Sequence, residues 1–343
     1  MELEDTLRSA VARAVSRPAG EARIIKLKGD ASNRSYYRVT TSPSFVVMVM
    51  PPSAKASEEA GQGPAPTELP FVNVHRYLHR IGVRVPEIHA YDEAAGTMVL
   101  EDLGDLTFEG ALLSGQSRES LYGEAIDLLA NMRARAEREA DPACIAFSRA
   151  FDAELYNWEL HHFREYGLEA RYGATLSAEE RASVDQAFRE IAARLAAVPR
   201  GFTHRDYQSR NLMVMNGELV VIDFQDALLG PRAYDLVALL RDSYVVLDAG
   251  LIGRMLERYA ISFHDAGGAE VDVDDLRRTF DLLTVQRKLK DAGRFEFIAR
   301  VKGNRGFLPH VPASLGYVKE ALERQPDLDP LRAILDRHVP ELR

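Results

Sequence analysis

Residues 202–224, FTHRDYQSRNLMVMNGELVVIDF, limit the fold of this chain more than any other stretch. Two apolar segments, LMVM and ELVVI, flank Asn216-Gly217, a dipeptide that readily takes the positive backbone torsions of a tight antiparallel turn. The pattern predicts a β-hairpin. A hairpin closes its own ends, so Asn211 at the entry and Asp223 at the exit are expected within reach of one ion. The polar residues just before it, His204, Arg205, Asp206, Arg210 and Asn211, fit either a solvated turn or a loop that carries chemistry. In the second reading, an amide oxygen and a carboxylate suit Mg2+, which keeps several waters and takes further ligands from phosphates. Asp206 is then a free carboxylate beside the metal, placed to accept the proton of an attacking hydroxyl.

The rest of the chain divides around residues 101–106. Before them, an amphipathic helix (MELEDTLRSAVARAV) precedes three short strands, ARIIKLK, RSYYRVTT and FVVMVM, separated by turn formers. Residues 51–70 are rich in Pro, Ala, Gly and Glu and read as a long loop. A helix with Phe71, Val74, Leu78 and Ile81 on one face follows, then two more strands ending at LEDL. Beyond residue 107 the periodicity is helical, at 117–139, 151–166, 177–198, 232–246, 249–262, 273–292 and 312–324, interrupted only by the hairpin. The expected fold is α+β, with a small antiparallel-sheet lobe over residues 1–104 and a larger, mainly helical lobe over 105–343.

Composition excludes several classes of function. The 343 residues are 46% hydrophobic, enough for a sizeable core, and carry 52 acidic against 43 basic side chains, a net charge of −9. Without a concentrated basic stripe, nucleic acid is not an expected partner. The single cysteine, Cys144, forms no internal disulfide and no Cys-based zinc site, which fits a reducing cytoplasm. The acidic amino terminus is unlike a secretory signal, and no apolar run is long enough to span a bilayer. A cytoplasmic monomer without a membrane or nucleic-acid partner is expected.

HRDYQSRN followed by IDF resembles the catalytic loop and metal motif of the protein-kinase-like fold, in its aminoglycoside and choline phosphotransferase branch. HRDYQSRNLMV, DFQDALLGPRAYDLVALLRDSYV, LEDLGDLTF, VQRKLKDAGRF and LPHVPASLGYV are similar to the bacterial N-acetylmuramate/N-acetylglucosamine anomeric kinases, over nearly the whole chain outside 51–70. The resemblance implies ATP and Mg2+ as cofactors and a small sugar as substrate, phosphorylated at its C1 hydroxyl during cell-wall recycling. It assigns Asp206 as the catalytic Asp, Asn211 and Asp223 as metal ligands, and Asp235 as a brace for the catalytic loop. KGDASNRSYYRV then corresponds to the phosphate-covering turn, with Ser32, Asn33 and Arg34 toward the nucleotide, and the backbone from Glu101 to Leu103 meets the adenine edge. The same turn is also ordinary hairpin chemistry.

One departure stands out. The third strand, FVVMVM, lacks the lysine with which protein kinases clamp the α and β phosphates. Lys26, Lys28, Arg34 and Lys55 are candidates to replace it, and the absence leaves a nucleotide-binding pseudokinase as an alternative. Other acceptors, an aminoglycoside or choline, would use the same motifs. A protein kinase is disfavoured, since no Ala-Pro-Glu motif closes an activation segment. For the sugar, Asp226, Arg241, Arg287 and Lys290 are candidate polar contacts, each equally suited to a structural ion pair. Tyr156 and Trp158 are candidate stacking surfaces, though helical aromatics are more often core. His161 and His162 point apart on a helix and read as solvated rather than metal-binding.

Overall fold

The computed structural model describes residues 3–16, 22–27, 34–50 and 68–343. Ser32 and Asn33, Lys28 and Lys55, and positions 51–67 of the expected loop lie outside them.

The helix α1 (Leu3–Val15) aligns Leu7, Ala10 and Val11 at the i, i+3, i+4 spacing and lays them on one face of a five-stranded antiparallel sheet. That sheet contains β1 (Arg23–Lys26), β2 (Ser35–Thr40), β3 (Phe45–Val49), β4 (Ile88–Asp92) and β5 (Thr97–Glu101), in the spatial order β1-β2-β3-β5-β4. Along β3 the side chains alternate: Phe45 and Val47 join the α1 side, whereas Val46 and Met48 face the main core with Phe71, Val74 and Leu78 of α2 (Pro70–Arg80). Burial on both faces explains why this strand is apolar throughout.

After β5 come α3 (Phe108–Leu113), α4 (Arg118–Arg138) and α5 (Ala153–His162). The helix predicted over 151–166 changes pitch inside its span, because α5 passes into a π-helical segment, Phe163–Ala170. Next are α6 (Ala178–Ala196), β6 (Arg200–Thr203), β7 (Leu212–Met215), β8 (Glu218–Val221) and β9 (Leu228–Pro231), then α7 (Ala233–Leu240), α8 (Ala249–Asp265), α9 (Val273–Val301), α10 (Val311–Leu322) and α11 (Asp329–His338). β7 and β8 form the predicted hairpin, with Asn216 (φ 52°) and Gly217 (φ 83°) both in the left-handed region that a two-residue turn of this hand requires. β6 pairs with β9, an antiparallel ladder that the sequence pattern did not suggest.

The 29-residue helix α9 is the axis of the helical region. It runs nine residues past its predicted end at 292. Its middle buries the polar residues Thr284, Gln286, Arg287, Lys288 and Lys290, and its exposed charges lie in the first turns, at Asp274, Asp275, Arg277 and Arg278, and near the end, at Arg300. One continuous apolar core joins α2 and the inner sheet face to these helices, and Phe71 meets Phe224 with ring centroids 4.8 Å apart.

Candidate active site

The connection from β6 to β7, residues 204–211, is held from beneath by two buried acids. Asp235, in the first turn of α7, accepts the N–H groups of His204 (2.8 Å) and Arg205 (2.9 Å). Asp242, just past α7, accepts those of Ser209 (2.9 Å) and Tyr244 (3.0 Å). Burial raises both carboxyls, and the N–H donors act against that rise. His204 is fully buried, its imidazole pKa lowered by that burial, and its Nε2 lies 3.0 Å from the Ile222 carbonyl, so the neutral ring donates from Nε2. Arg205 has φ +79°, a conformation that non-glycine residues adopt only when their surroundings hold them there.

Asn211, Asp206 and Asp223 meet at the mouth of the hairpin. Asn211 Nδ2 donates to the Asp206 carbonyl at 2.9 Å and to Asp223 Oδ2 at 3.3 Å, which leaves its Oδ1 as an unused acceptor. Asp223 also has a positive φ of 64° and accepts from Gln225 Nε2 at 3.0 Å. Burial, together with the negative charge of Asp206, pushes the Asp223 carboxyl up to about 6. An acid destabilised in this way by a second acid, beside an open amide oxygen, is a donor set suited to a divalent cation. Among the described residues no three His, Cys, Asp or Glu converge on a point, so an ion held by Asn211 and Asp223 keeps positions for water and phosphate, as Mg2+ does.

Asp206 is in a different environment. Burial alone would raise its carboxyl, but Arg287, then Lys290 and Arg205, hold it below the usual carboxylate range. Arg287, 2% exposed, donates from Nη1 to the Arg205 carbonyl (2.8 Å) and from Nη2 to Asp206 Oδ1 (3.2 Å). The Asp206 side chain keeps 31% of its surface open. One acid is therefore held ionised and reachable, and its neighbour is destabilised as a carboxylate.

On the nucleotide side the structure narrows the groups that could serve a ligand. The Glu101 N–H is committed to the Glu87 carbonyl (2.9 Å) and its carboxylate to Arg84, so Glu101 offers no backbone donor to adenine. The Leu103 N–H makes no hydrogen bond among the described residues, and Leu103 is half-buried at the junction. Among the candidates for the missing lysine, Lys26 is exposed on the edge strand β1. Arg34 lies close enough to hydrogen-bond the Tyr36 hydroxyl and to act electrostatically on Asp223.

The sugar candidates separate. Arg287 is directed at the catalytic loop, to which it bonds through both Nη groups, while its buried Nε makes no hydrogen bond among the described residues. Arg241 is corrected likewise: it pairs with Glu320 at 2.7 Å and packs over Tyr317, a structural role for a residue 3% exposed. Asp226 stays beside Asp223, sharing Gln225 Nε2 at 3.0 Å. Tyr156 is core, stacked on Phe151 with centroids 5.0 Å apart, whereas Trp158 is 49% exposed. His161 and His162 do point apart, but both are half-buried, one against Phe188 and the other between Trp158 and Phe297. Sequence reasoning missed Asp242 and Glu159. The signal for the first was an acid two residues after the apolar run LVALL that ends α7; the second, beside Arg205 at 3.6 Å, had none.

A five-stranded sheet joined to a helical region, with a braced acid loop and metal-type hairpin between them, is the protein-kinase-like fold. The chain belongs to the phosphotransferase enzyme family, which it matches over residues 23–272. It is 34% identical to the N-acetylmuramate/N-acetylglucosamine kinase of Pseudomonas aeruginosa over 92% of this chain and 88% of that protein. With the protein of the same description from Neisseria meningitidis serogroup B it shares 32% identity, over 89% and 87% of the two chains. Among solved structures, a choline/ethanolamine kinase family protein from Mesorhizobium loti superposes with a TM-score of 0.62 at 15% identity, covering 97% of this chain and 99% of the other. The amicoumacin kinase hAmiN, in complex with AMP-PNP, Ca2+ and its ligand, gives 0.60 at 16% identity, covering 94% and 96%.

Proposed function

We propose that this protein is an ATP- and Mg2+-dependent sugar kinase that phosphorylates the anomeric C1 hydroxyl of N-acetylmuramate or N-acetylglucosamine, as a cytoplasmic monomer serving cell-wall sugar recycling. The observation that carries this reading is the single amide of Asn211 bridging the Asp206 carbonyl and the Asp223 carboxylate. The names of the two relatives supply the acceptor class.

In this reading Asp206 orients the C1 hydroxyl and takes its proton as the oxygen attacks the γ phosphorus; the bond to the β,γ-bridging oxygen breaks and ADP leaves. Asn211 Oδ1 and Asp223 hold Mg2+, which when bound neutralises charge on the phosphates. Arg287 is a positioning residue that fixes Asp206. Leu103 donates to the adenine edge, and Arg34 faces the phosphates in place of the absent lysine. Residues 1–104 form the nucleotide-covering lobe and 105–343 the lobe with the loop and sugar site.

The test is chemical. Incubation with N-acetylglucosamine and Mg2+-ATP is expected to consume the reducing end as ADP forms, because a C1 phosphate blocks ring opening. ADP formation with the reducing end intact overturns C1 as the site; no ADP with either sugar overturns the acceptor class.

A further inference from the structure

The amino-sugar reading leaves open how the acceptor site treats the one group that separates N-acetylmuramate from N-acetylglucosamine, the carboxylate of its lactyl ether. Four buried cations surround the catalytic loop: Arg205, Arg287, Lys288 and Lys290. Three of them are engaged by protein. Arg287 holds Arg205 and Asp206. Lys288 Nζ lies 2.8 Å from Asp291 Oδ2 and 3.3 Å from Ser243 Oγ. Arg205 faces Glu159 at 3.6 Å, with its guanidinium over the Phe151 ring.

Lys290 differs. The residue is 8% exposed, yet among the described residues its ammonium has one ion pair, to Asp291 Oδ1 at 3.3 Å, and that carboxylate already serves Lys288. An ammonium carries three donors, and burying it without matching acceptors is costly. Lys290 follows Arg287 by three positions on α9, so the two share a face and stand about 4.5 Å apart along the axis. Gly293 continues this face; a Cβ there would lie 2.7 Å from the Phe163 Cα, so the end of α5 closes that side. Lys290 therefore lies on the face of α9 that carries Arg287 to the catalytic loop and packs against the end of α5 at Gly293, close enough to Asp206 to act on its charge. Tyr234 lies on the same side, with Arg287 over its ring at 4.9 Å, and its buried hydroxyl makes no hydrogen bond among the described residues.

We infer that Lys290, with the Tyr234 hydroxyl beside it, is the specificity determinant that binds a carboxylate on the acceptor while Asp206 holds the reacting hydroxyl. The offset suits the chemistry: the acid of N-acetylmuramate hangs from C3, two ring atoms from C1, and Lys290 stands one helical turn from the arginine that fixes Asp206. This inference rests on the amino-sugar reading and adds a discrimination by charge.

The experiment compares N-acetylmuramate, its carboxyl methyl ester and N-acetylglucosamine as acceptors for the full chain and for Lys290→Met. The wild type is expected to favour the free acid over the ester by roughly 10- to 100-fold in kcat/KM, the weight of one charge-assisted contact. In the variant that preference collapses, mainly through KM, and kcat/KM falls at least tenfold more for the acid than for N-acetylglucosamine. Lys290→Arg is expected to recover part of the preference. A variant that keeps the wild-type acid-to-ester ratio, or that loses all three acceptors equally, overturns the assignment, the second result marking Lys290 as purely structural. A wild type inactive on every sugar overturns the amino-sugar reading itself; one active on N-acetylglucosamine but blind to the ester overturns only the inference.

Discussion

Arg287 touches the catalytic loop twice with one guanidinium, donating to the carbonyl of Arg205 at 2.8 Å and to the carboxylate of Asp206 at 3.2 Å. Arg205 is the loop residue in the left-handed region, so the arginine fastens a strained peptide and the acid beside it together. Position and charge of Asp206 thus depend on the same side chain. Arg287→Lys keeps a charge but lacks the planar fork that spans both acceptors. Its kcat is expected to fall about 100-fold with KM for ATP unchanged, an amount typical of a misplaced reacting group. Arg287→Met removes the strongest influence lowering the Asp206 carboxyl, whose burial acts upward, so the acid limb of its kcat profile moves to higher pH. Equal pH profiles for wild type and the methionine variant would refute the coupling.

Asp206→Asn preserves shape while removing the proton acceptor. The expected loss in kcat is roughly 10²- to 10⁴-fold, with ATP affinity by calorimetry little changed. A variant turning over at the wild-type rate would strip Asp206 of its assigned part.

Asp223 predicts an unusual dependence of stability on pH. Its carboxyl is raised from 3.8 to about 6 by burial and by Asp206. Between those values the folded chain keeps a proton that the unfolded chain has lost, so metal-free stability falls as pH rises through that window and stays lowered above it. At about 1.4 kcal/mol per unit, the effect is on the order of 1–3 kcal/mol. Asp223→Asn abolishes it. Without divalent cations the variant is expected to melt above wild type at pH 7.5, and the two to converge near pH 4. With Mg2+-ATP the order reverses, because only the wild type gains a bound ion. Melting curves that keep one order under all three conditions would contradict the shared-ion geometry.

Arg34 carries the remaining charge expected at the phosphates. Arg34→Ala is expected to raise KM for ATP about tenfold and to leave KM for the sugar within twofold, whereas Lys26→Ala, on the exposed edge strand, changes neither. Steady-state kinetics with each substrate varied in turn separates the two. Identical behaviour of both variants would place the substitute for the lysine elsewhere.

The parts of this site that could be read from the chain are those made by neighbours in sequence. Asn216-Gly217 dictates its own turn, and the turn brings Asn211 to Asp223, because every step in that inference is local. The contact from Arg287 to Asp206 spans 81 residues, and nothing near either partner tells which face of α9 meets the loop. The same helix hid its own length, since its middle is buried on every side and its polar residues there give no periodic stripe to follow. Helix α11 went unread for a related reason: Pro326 and Pro330 look like loop punctuation, yet Pro330 stands at the start of a helix, where a missing N–H costs nothing. The Glu101 N–H is likewise taken by a partner that no local signal marks, the Glu87 carbonyl fourteen residues away.

Asp235 tests whether the loop is held or merely packed. Its two oxygens accept the N–H groups of His204 and Arg205, so each oxygen is needed as an acceptor. Asn presents one oxygen and one N–H2, which sets a donor against a donor at one of the two contacts. The cost of leaving such a group unsatisfied in a buried site is about 1–3 kcal/mol. Asp235→Asn is therefore expected to lower Tm by several degrees and, through the displaced Arg205 peptide, to reduce kcat more than either KM. Asp235→Ala leaves both N–H groups without partners and is expected to do more on each count. If Asn melts like wild type but loses activity, the brace acts on loop geometry alone; if it melts early and retains kcat, the loop does not depend on Asp235 for its catalytic shape, and the reading of this acid as a brace fails.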